Sequence, residues 1–450
     1  MKIVETRRVA LTEIVFRQEF YPRAKPNSAT IEQYLDALRD GAEFPPIELD
    51  AEGLILVDGY HRWKAALEAG LADIEAKLVD LESTPRLLYA ASRNAIHGDR
   101  LTSAEKREVA RAMAQQGISQ VEIQKWLAVS AGTVSNWVSD IAARNARARE
   151  AQVWWLSLLG WTLREIAEHC GISKSEVDRV ASRLSELNLA EKIERGQRPE
   201  QIAESENLPL RLVQASLLQN KEDEERMNAL RIGIQPYDVW NFAGCDPRFG
   251  GEYPGRIPGQ LVIHLLYFFS QPNDLVIDPM GGSGTTLDAC AYMGRRAYGL
   301  DAHPCSERND ILAHDMLEQG WHPRTAQAQL IVWDPPYYRK MDAAYGDKSI
   351  SRLDKSEYLA FFQRAAATIP SEFSGRLAFI CSDYTNPDHA AENIFVWDYL
   401  HLFMAAGWQI EHRIQVPLTT QQVHPDLVNR FRQARRLARL NRDAIILRRG

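Results

Sequence analysis

The chain has 450 residues, of which 45% are hydrophobic and 25% are charged, the balance of an ordinary globular protein. This length exceeds one typical domain, so we expect two or three. No apolar run approaches the roughly 20 residues that a membrane helix requires, and the first residues lack the apolar core of a signal peptide. The sequence therefore excludes the membrane-spanning class and predicts a cytoplasmic protein.

Cysteine usage and charge bear on cofactors and partners. The five cysteines are scattered without C-x-x-C spacing, which predicts free thiols and no bound metal. The formal net charge of −7 excludes a uniformly basic surface, although one face can still be basic. The sharpest basic cluster lies near the C-terminus, where a solvated helix face and a phosphate-binding surface are equally good interpretations. Its six arginines fall within 13 residues and are Arg430, Arg432, Arg435, Arg436, Arg439 and Arg442.

Short apolar runs alternate with a helical segment in residues 1–98. A glycine turn, Asp58-Gly-Tyr-His-Arg, then opens a further helix with basic side chains in its first turn. Helix N-termini present free N–H groups and a positive dipole end, so Gly59, His61 and Arg62 are typical of a phosphate or nucleotide site. A capped helix with ordinary surface charges is an equally good interpretation. The predicted strands span 9–16, 44–49 and 53–57, and the predicted first helix spans 31–38.

The order of these elements, with Tyr-Pro-Arg, Pro-Pro-Ile and Asp-Gly-Tyr-His-Arg-Trp-Lys-Ala-Ala between them, resembles the N-terminal domain of the ParB family. Gly59 and Arg62 fall in register with that family's phosphate-binding box, which binds CTP in partition-type members. Tyr60 stands where those members have an acid, and Asn94-x-x-His97 replaces their Asn-x-x-Arg pattern. The resemblance implies a CTP-like nucleotide or a phosphate at this box, while the departures argue against CTP hydrolysis and a sliding clamp.

Residues 99–230 repeat one pattern three times, an isoleucine followed eleven residues later by a valine across a short turn. This is helix-turn-helix spacing, in which the isoleucine and valine pack the two helices together. The pairs are Ile123 and Val134, Ile166 and Val177, and Ile202 and Val213. Any one copy can also be a purely structural motif that does not bind DNA. The third copy has acidic residues around it, which favours the structural interpretation. Three copies behind a ParB-like segment favour DNA binding. The predicted DNA-contacting residues are Thr133, Ser135 and Asn136 in the first copy and Lys174, Ser175 and Arg179 in the second.

Between residues 274 and 337, three short apolar runs each end in an acid, Asp278, Asp301 and Asp334. A glycine-rich turn and a helical segment follow the first run, the layout of a strand-turn-helix-strand ligand site. The turn lacks both the lysine of a P-loop and the G-x-G-x-x-G of a dinucleotide loop. An acid before the glycines repels a pyrophosphate but attracts an ammonium group, which indicates S-adenosylmethionine. Asp301 is then placed for the ribose hydroxyls, and Asp315 for the adenine amine.

The tetrapeptide Asp334-Pro-Pro-Tyr337 suggests the reaction. An exocyclic base amine is a weak nucleophile because its lone pair is delocalised into the ring. Asp334 and the carbonyl of Pro335 can accept its two N–H groups, Pro335 and Pro336 stiffen the turn, and Tyr337 can stack on a flipped base. Methyl transfer then depends on positioning and requires neither a metal nor a covalent residue. The tetrapeptide alone could also be an ordinary turn after a strand, without a catalytic role.

Residues 240–450 resemble the amino-methyltransferases that act on adenine N6 or cytosine N4 of DNA. The glycine loop, Asp334-Pro-Pro-Tyr337 and the closing strand from Arg442 carry the resemblance, with Met280 where the family usually has Phe. It implies a Rossmann-like fold, S-adenosylmethionine as cofactor and, from the aspartate at 334, adenine rather than cytosine. The cofactor-binding residues predicted are Pro258, Asp278, Pro279, Met280, Gly281, Gly282, Ser283, Gly284, Thr285, Thr286, Asp301 and Asp315.

We therefore expect an α/β protein with a small α+β ParB-like domain at 1–98, an all-α helix-turn-helix region at 99–230 and a Rossmann-like methyltransferase domain at 231–450. The predicted activity is adenine-N6 methylation of double-stranded DNA by a nucleoid-associated enzyme of the restriction-modification or phage type. No large recognition insert separates the motifs, so recognition is expected from 338–355, from the 418–442 arm with Arg432, Arg435, Arg436 and Arg439, or from the N-terminal half. Cytosine-N4 or RNA methylation, and a DNA-binding regulator with an inactive methyltransferase fold, stay open. So does a homodimer.

Overall fold

A computed structural model describes residues 2–82, 84–96, 101–252, 255–339, 349–417 and 425–450. The chain forms two compact units, Met1–Ala148 and Arg149–Gly450. Throughout these described ranges, no helix combines the length and the apolar content that crossing a membrane requires.

The first unit is built on a four-stranded sheet of order β1-β4-β2-β3. Strand β2 is parallel to β4 and antiparallel to β3, and β1 pairs antiparallel with β4. The central strands alternate apolar and charged residues, and Ile47 and Leu49 of β2 are fully buried. A turn at residues 11–13 ends the first strand earlier than the sequence predicted. The strands are β1 (Lys2–Ala10), β2 (Ile47–Asp50), β3 (Ile55–Asp58) and β4 (Asp73–Asp80).

In the described part of this unit six α-helices accompany the sheet, and two begin with reciprocal capping boxes, Thr102 with Glu105 and Ser119 with Glu122. The first helix-turn-helix is formed as predicted, because Ile123 and Val134 are both fully buried between its helices. The helices are α1 (Ser28–Arg39), α2 (Tyr60–Glu68), α3 (Arg86–Ile96), α4 (Ser103–Gln115), α5 (Gln120–Leu127) and α6 (Ala131–Leu158), the last containing the boundary between the units.

The second unit contains a seven-stranded sheet of order β10-β11-β9-β8-β5-β6-β7. Its strands from β5 to β9 are parallel, and β11 runs antiparallel between β9 and β10. The central strands β5 and β8 are buried at every position and apolar except for Asp278, because helices cover both faces, which agrees with the predicted α/β class. The strands are β5 (Leu275–Asp278), β6 (Arg296–Asp301), β7 (Ile311–Ala313), β8 (Leu330–Trp333), β9 (Arg376–Cys381), β10 (Trp408–Pro417) and β11 (Asn441–Arg449).

Twelve α-helices complete the described part of this unit. They are α7 (Leu163–Cys170), α8 (Lys174–Glu186), α9 (Leu189–Glu194), α10 (Pro199–Glu206), α11 (Leu210–Leu218), α12 (Asp223–Ala229), α13 (Gly259–Phe269), α14 (Thr285–Met293), α15 (Met316–Gln319), α16 (Lys355–Thr368), α17 (Val396–Ala405) and α18 (Pro425–Gln433). Helix α14 follows the glycine loop and packs on α11 and α13.

The second and third helix-turn-helix copies share one hydrophobic core with the seven-stranded sheet. The Trp161 ring stacks on that of Tyr298 in β6, and its indole N–H donates to the carbonyl of Ala297 at 3.1 Å. Farther along, the Gln219 amide donates to the carbonyl of Ala291 in α14 at 2.9 Å. The compact units therefore divide at 148/149, whereas the sequence placed boundaries after 98 and 230. Those boundaries stay a prediction about sequence modules.

Candidate functional site

The candidate site lies where the parallel strands of the second unit end. Strand β5 has β6 on one side and β8 on the other, so the chain order reverses beside it. Ligands of open α/β sheets bind at such a switch point, outside the carboxyl ends of the strands. Asp278, Asp301 and Asp334 all line one cleft there, with a cavity volume of ≈ 150 Å³.

The glycine loop is held against β6 by its own backbone. The N–H of Gly281 donates to the carbonyl of Leu300 at 2.7 Å, and the N–H of Gly282 donates to Asp301 Oδ2 at 3.0 Å. Gly284 has φ +84° as the N-cap of α14, and a Cβ there would lie 2.3 Å from the Arg308 guanidinium carbon. Glycine at 284 is therefore required both by the backbone angle and by the space available.

Asp278 is a buried carboxyl at the floor of the cleft. Burial raises its pKa to about 7, although hydrogen bonds from the Thr286 hydroxyl and the Met280 N–H favour the charged form. A carboxylate that is poorly compensated by its surroundings gains from a cationic neighbour. The position therefore suits a ligand group with positive charge.

The other two predicted cofactor acids are fixed by backbone donors. Asp301 accepts from the N–H of Gly282 at 3.0 Å and from that of His303 at 2.9 Å, one on each carboxyl oxygen. Asp315 caps α15 by accepting from the N–H of Leu317 at 2.9 Å. Both carboxyl groups keep lone pairs for further donors, and both line the cleft.

The tetrapeptide at the end of β8 is also held firmly. The Tyr337 hydroxyl donates to Asp334 Oδ1 at 2.7 Å. The Tyr358 hydroxyl donates to the carbonyl of Pro336 at 3.1 Å and accepts from the N–H of Tyr338 at 3.1 Å. Burial raises the pKa of Asp334 to about 6, against the lowering effects of Arg442 and Tyr337. The group is therefore mostly ionised at neutral pH.

Most residues predicted for the cofactor meet at this cleft. Of the twelve, Pro258 and Gly284 stand outside its lining, Pro258 as the N-cap of α13 and Gly284 as that of α14. Asp334 and Pro336 of the tetrapeptide line it as well. The ten lining residues are Asp278, Pro279, Met280, Gly281, Gly282, Ser283, Thr285, Thr286, Asp301 and Asp315. Lining residues that the sequence did not single out are Gly255, Arg256, Ile257, Ala302, His303, His314, Met316, Leu317, Ser349 and Ile350.

A buried ion cluster behind the glycine loop was also missed. Arg308 donates to Asp288 of α14 at 2.9 Å and to Asp310 at 2.7 Å. The same two acids accept from the N–H of Gly250 and from the indole of Trp155, each at 2.7 Å. No local pattern marks this cluster, because its members come from separate stretches of the chain. It fixes the start of α14 and therefore the loop that precedes it.

The predicted DNA-contacting side chains of the helix-turn-helix copies lie at the surface. Ser135 and Asn136 are exposed, whereas Thr133 is half-buried and its N–H bonds to the Ser130 hydroxyl. In the second copy, all three predicted residues are exposed, and Arg179 lies 3.9 Å from Glu176. The exposed residues of the second copy are Lys174, Ser175 and Arg179.

In the C-terminal arm, Arg432, Arg435, Arg436 and Arg439 are all exposed. Two of them also make contacts within the protein. Arg436 donates to the carbonyl of Asn386 at 2.9 Å, and Arg439 lies 3.4 Å from the carboxylate of Asp383. Parts of the predicted recognition segments, 340–348 and 418–424, lie outside the described residues.

The predicted nucleotide site of the first unit is a separate cleft at the start of α2. Gly59 has φ +92° there, and His61 Nε2 accepts from the N–H of Asn27 at 3.2 Å. The Arg62 guanidinium donates to Asp58 at 2.9 Å and to the carbonyl of Pro46 at 3.1 Å. Binding a phosphate at Arg62 would therefore require it to exchange existing partners. His97 of the Asn-x-x-His pattern lies outside the described residues.

Comparisons with known proteins fall into two groups. Residues 172–308 match the family model described as DNA methylase. The type II methyltransferase M2.DpnII of Streptococcus pneumoniae is 32% identical over 78 residues, 17% of this chain and 29% of that protein. The segment that matches the family model contains the glycine loop and ends before β8, and it begins within the second helix-turn-helix copy. This chain spans less than a third of that methyltransferase.

The other group contains chromosome-partitioning proteins. Spo0J of Thermus thermophilus is 26% identical over 186 residues, 36% of this chain and 66% of that protein. The crystal structure of truncated ParB from Caulobacter crescentus with the centromeric parS site is 18% identical, with TM-score 0.24, and covers 39% of this chain and 99% of that chain. Both predicted resemblances are thus confirmed: the chain carries a segment that matches the DNA methylase family and an N-terminal part similar to chromosome-partitioning proteins.

Proposed function

We propose that this chain is an S-adenosylmethionine-dependent DNA methyltransferase that transfers a methyl group to the N6 amine of a flipped adenine. The observation that carries the proposal is the cleft in which Asp278, Asp301 and Asp334 converge from three neighbouring strands, behind a glycine loop. The match of that loop's segment to the DNA methylase family supports the same chemistry.

The cleft suits the cofactor in charge and in space. Gly281 and Gly282 line the cleft without side chains, which leaves their backbone open to a ligand's close approach. Asp278 offers a carboxylate to the cofactor's cationic amino acid part, Asp301 to the ribose hydroxyls and Asp315 to the adenine amine. When bound, S-adenosylmethionine supplies a methyl group on a positively charged sulfur.

On this proposal, Asp334 accepts an N–H of the target amine and so directs the nitrogen lone pair toward the methyl group. The bond from Tyr337 to Asp334 Oδ1 leaves the second carboxyl oxygen available for the amine. The two prolines and the bond from Tyr358 to the Pro336 carbonyl keep this edge in place before the substrate arrives. Positioning of this kind accounts for much of the rate in a direct transfer.

DNA binding is proposed for the N-terminal half and the arginine arm. The exposed polar starts of α6 and α8 suit double-stranded DNA, as does the basic run from Arg430 to Arg439. The similarity to Spo0J supports the same role. A nucleotide at Gly59, His61 and Arg62 is a secondary proposal, tested by calorimetric titration with CTP against an Arg62→Gln variant.

The test is methyl transfer from labelled cofactor to mixed DNA and RNA, followed by identification of the modified nucleoside. We expect N6-methyladenine in DNA and a loss of at least 100-fold in Asp334→Asn. The matched control is Asp36→Asn, an exposed carboxyl on α1, which should retain wild-type transfer.

Other products decide between the alternatives. N4-methylcytosine or a methylated RNA base would replace the proposed substrate and keep the reaction class. No transfer to any nucleic acid, with DNA binding retained, would identify a DNA-binding regulator with an inactive methyltransferase fold. Wild-type transfer by Asp334→Asn would overturn the proposed mechanism.

A further inference from the structure

Arg442 is a buried cation beside the candidate site without a hydrogen-bonding partner for two of its nitrogens. It is the second residue of β11 and is 8% exposed. Its Nε and Nη1 atoms are buried, and no described residue accepts a hydrogen bond from either. A buried charged donor left without an acceptor is costly, so the arrangement calls for an acceptor beyond the described residues.

The acids nearest to Arg442 in the chain and the sheet already have other partners. Asp443 accepts from Arg413 Nε at 2.8 Å and from the Asn441 amide at 3.1 Å. Asp383 accepts from the N–H of Val396 at 2.8 Å and lies 3.4 Å from Arg439. Both carboxylates are therefore committed to other donors, and Arg442 Nε and Nη1 have no acceptor among the described residues.

Sheet register places Arg442 on the same face as Asp334. Asp443 pairs with Cys381 of β9, and Phe379, two residues earlier, pairs with Trp333 of β8. Because side chains alternate along a strand, Asp334 and Arg442 both point to the face opposite Asp443. Strand β11 is antiparallel to β9, so its first residues lie at the edge where β8 ends.

The electrostatic effect agrees with this placement. Burial raises the pKa of Asp334, and the charge of Arg442 opposes that rise. The guanidinium therefore lies close enough to the candidate catalytic carboxyl to affect it, although the two groups share no hydrogen bond among the described contacts.

We propose that Arg442 binds a phosphate that flanks the target nucleotide and so anchors the flipped base in front of Asp334. The inference rests on the proposed function and adds a substrate-binding residue to it. A phosphate supplies both the negative charge and the several acceptor oxygens that an unpaired guanidinium lacks. Donation to a ring nitrogen of the base would be the worse match, because it would withdraw electron density from the amine.

The arginine arm supports a phosphate rather than a base contact. Arg432, Arg435, Arg436 and Arg439 precede Arg442 and are exposed, so a basic surface leads along the chain to the buried guanidinium. A nucleic-acid backbone that followed this surface would carry one phosphate to the cleft edge.

The experiment combines Arg442→Met with duplexes that carry a single neutral methylphosphonate on either side of the methylated base. The control is Arg448→Met, which removes the same charge from an exposed position of the same strand. We expect Arg442→Met to lower kcat/KM for DNA by 10- to 100-fold with cofactor affinity unchanged, and Arg448→Met to act as wild type. One methylphosphonate should lower wild-type kcat/KM by a similar factor and leave Arg442→Met unaffected.

Equal effects of that methylphosphonate on wild type and Arg442→Met would overturn the proposal, as would wild-type kcat/KM in the variant. If Arg442→Met does not fold, the wild-type enzyme decides alone. A loss of kcat/KM with one of the two methylphosphonates supports the contact, and no loss with either one overturns it. If the wild-type enzyme methylates DNA and Arg442→Met does so equally well, the proposed function still stands. Absence of wild-type methylation removes both.

Discussion

At the scale of single residues, Asp334 links burial to catalysis. Burial raises its pKa to about 6, and the proposed role requires the ionised form. We expect kcat/KM for DNA at saturating cofactor to rise about tenfold per pH unit up to a midpoint near pH 6 and then to level off. The measurement is a pH–rate profile from pH 5 to 8. A residual Asp334→Asn activity with the same acidic limb would contradict the assignment.

The same shift has a consequence for stability with the opposite sign. A carboxyl whose pKa is higher in the folded state than its ordinary 3.8 favours folding in its neutral form. Its contribution is complete below about pH 4 and is lost as the pH rises through 6. Asp334→Asn should therefore gain stability relative to wild type above pH 6, as measured by urea unfolding at pH 4 and pH 7. Equal differences at the two pH values would contradict this.

Gly284 provides a second test at this scale. Alanine there must adopt φ +84° and would lie 2.3 Å from the Arg308 guanidinium, which is held by Asp288 and Asp310. We expect Gly284→Ala to lose more than about 2 kcal/mol of unfolding free energy and to weaken cofactor binding at least tenfold.

The matched control is Gly171→Ala, just after α7, which has φ +63° and ψ +37° in the same left-handed region as Gly284, with no atom within 4 Å of the added carbon. It should show the backbone strain of about 1 kcal/mol without the clash and without a change in cofactor affinity. Thermal unfolding and calorimetric titration with S-adenosylmethionine measure both effects. Equal stability losses in the two variants would show that the Arg308 contact does not matter.

At the scale of elements, patterns within one stretch of sequence predicted the structure well. All six helix-turn-helix core residues are fully buried, because an isoleucine and a valine eleven residues apart report a purely local packing. The convergence of Asp278, Asp301 and Asp334 followed from strand ends in a parallel sheet. Contacts such as Arg308 with Asp288 depend on which distant elements meet, and a single sequence carries no sign of them.

The proposed DNA binding by the second helix-turn-helix copy can be tested. Lys174 and Arg179 are exposed near the start of α8, where we propose phosphate contact. Replacing both by alanine should weaken DNA binding at least tenfold and reduce the slope of log K against log salt by about 1.8. Fluorescence anisotropy at several salt concentrations measures this.

The control for charge alone is Arg195→Ala with Lys221→Ala, two exposed cations around the copy that we interpret as structural. It should leave the salt slope unchanged. A similar reduction in both double variants would mean that net charge, rather than the start of α8, governs DNA binding.

At the scale of the whole molecule, the hydrophobic cores decide where the chain can be divided. The core of the second unit begins with Ala151 and Val153 and continues without interruption into the seven-stranded sheet. Helical periodicity on both sides of 148 hides this boundary in the sequence, and the change of composition near 230 suggested another. The boundary between proposed functions therefore differs from the boundary between hydrophobic cores. The second helix-turn-helix copy is proposed to bind DNA, yet it packs with the seven-stranded sheet of the proposed methyltransferase.

This difference predicts how truncated chains behave. Residues 149–450 retain the whole shared core, so we expect them to fold cooperatively, to bind S-adenosylmethionine as the full chain does, and to methylate DNA with a raised KM. Residues 231–450 lose the partners of Tyr298 and of α14, among them Trp161 and Gln219, and expose the apolar surface those residues cover. Such a fragment should aggregate or unfold at least 10 °C lower, because removing several large buried side chains costs many kcal/mol. Calorimetry and cofactor titration of the two fragments measure this. A stable, cofactor-binding 231–450 fragment would show instead that the sequence-based boundary is the physical one and that the helical region is only an accessory layer.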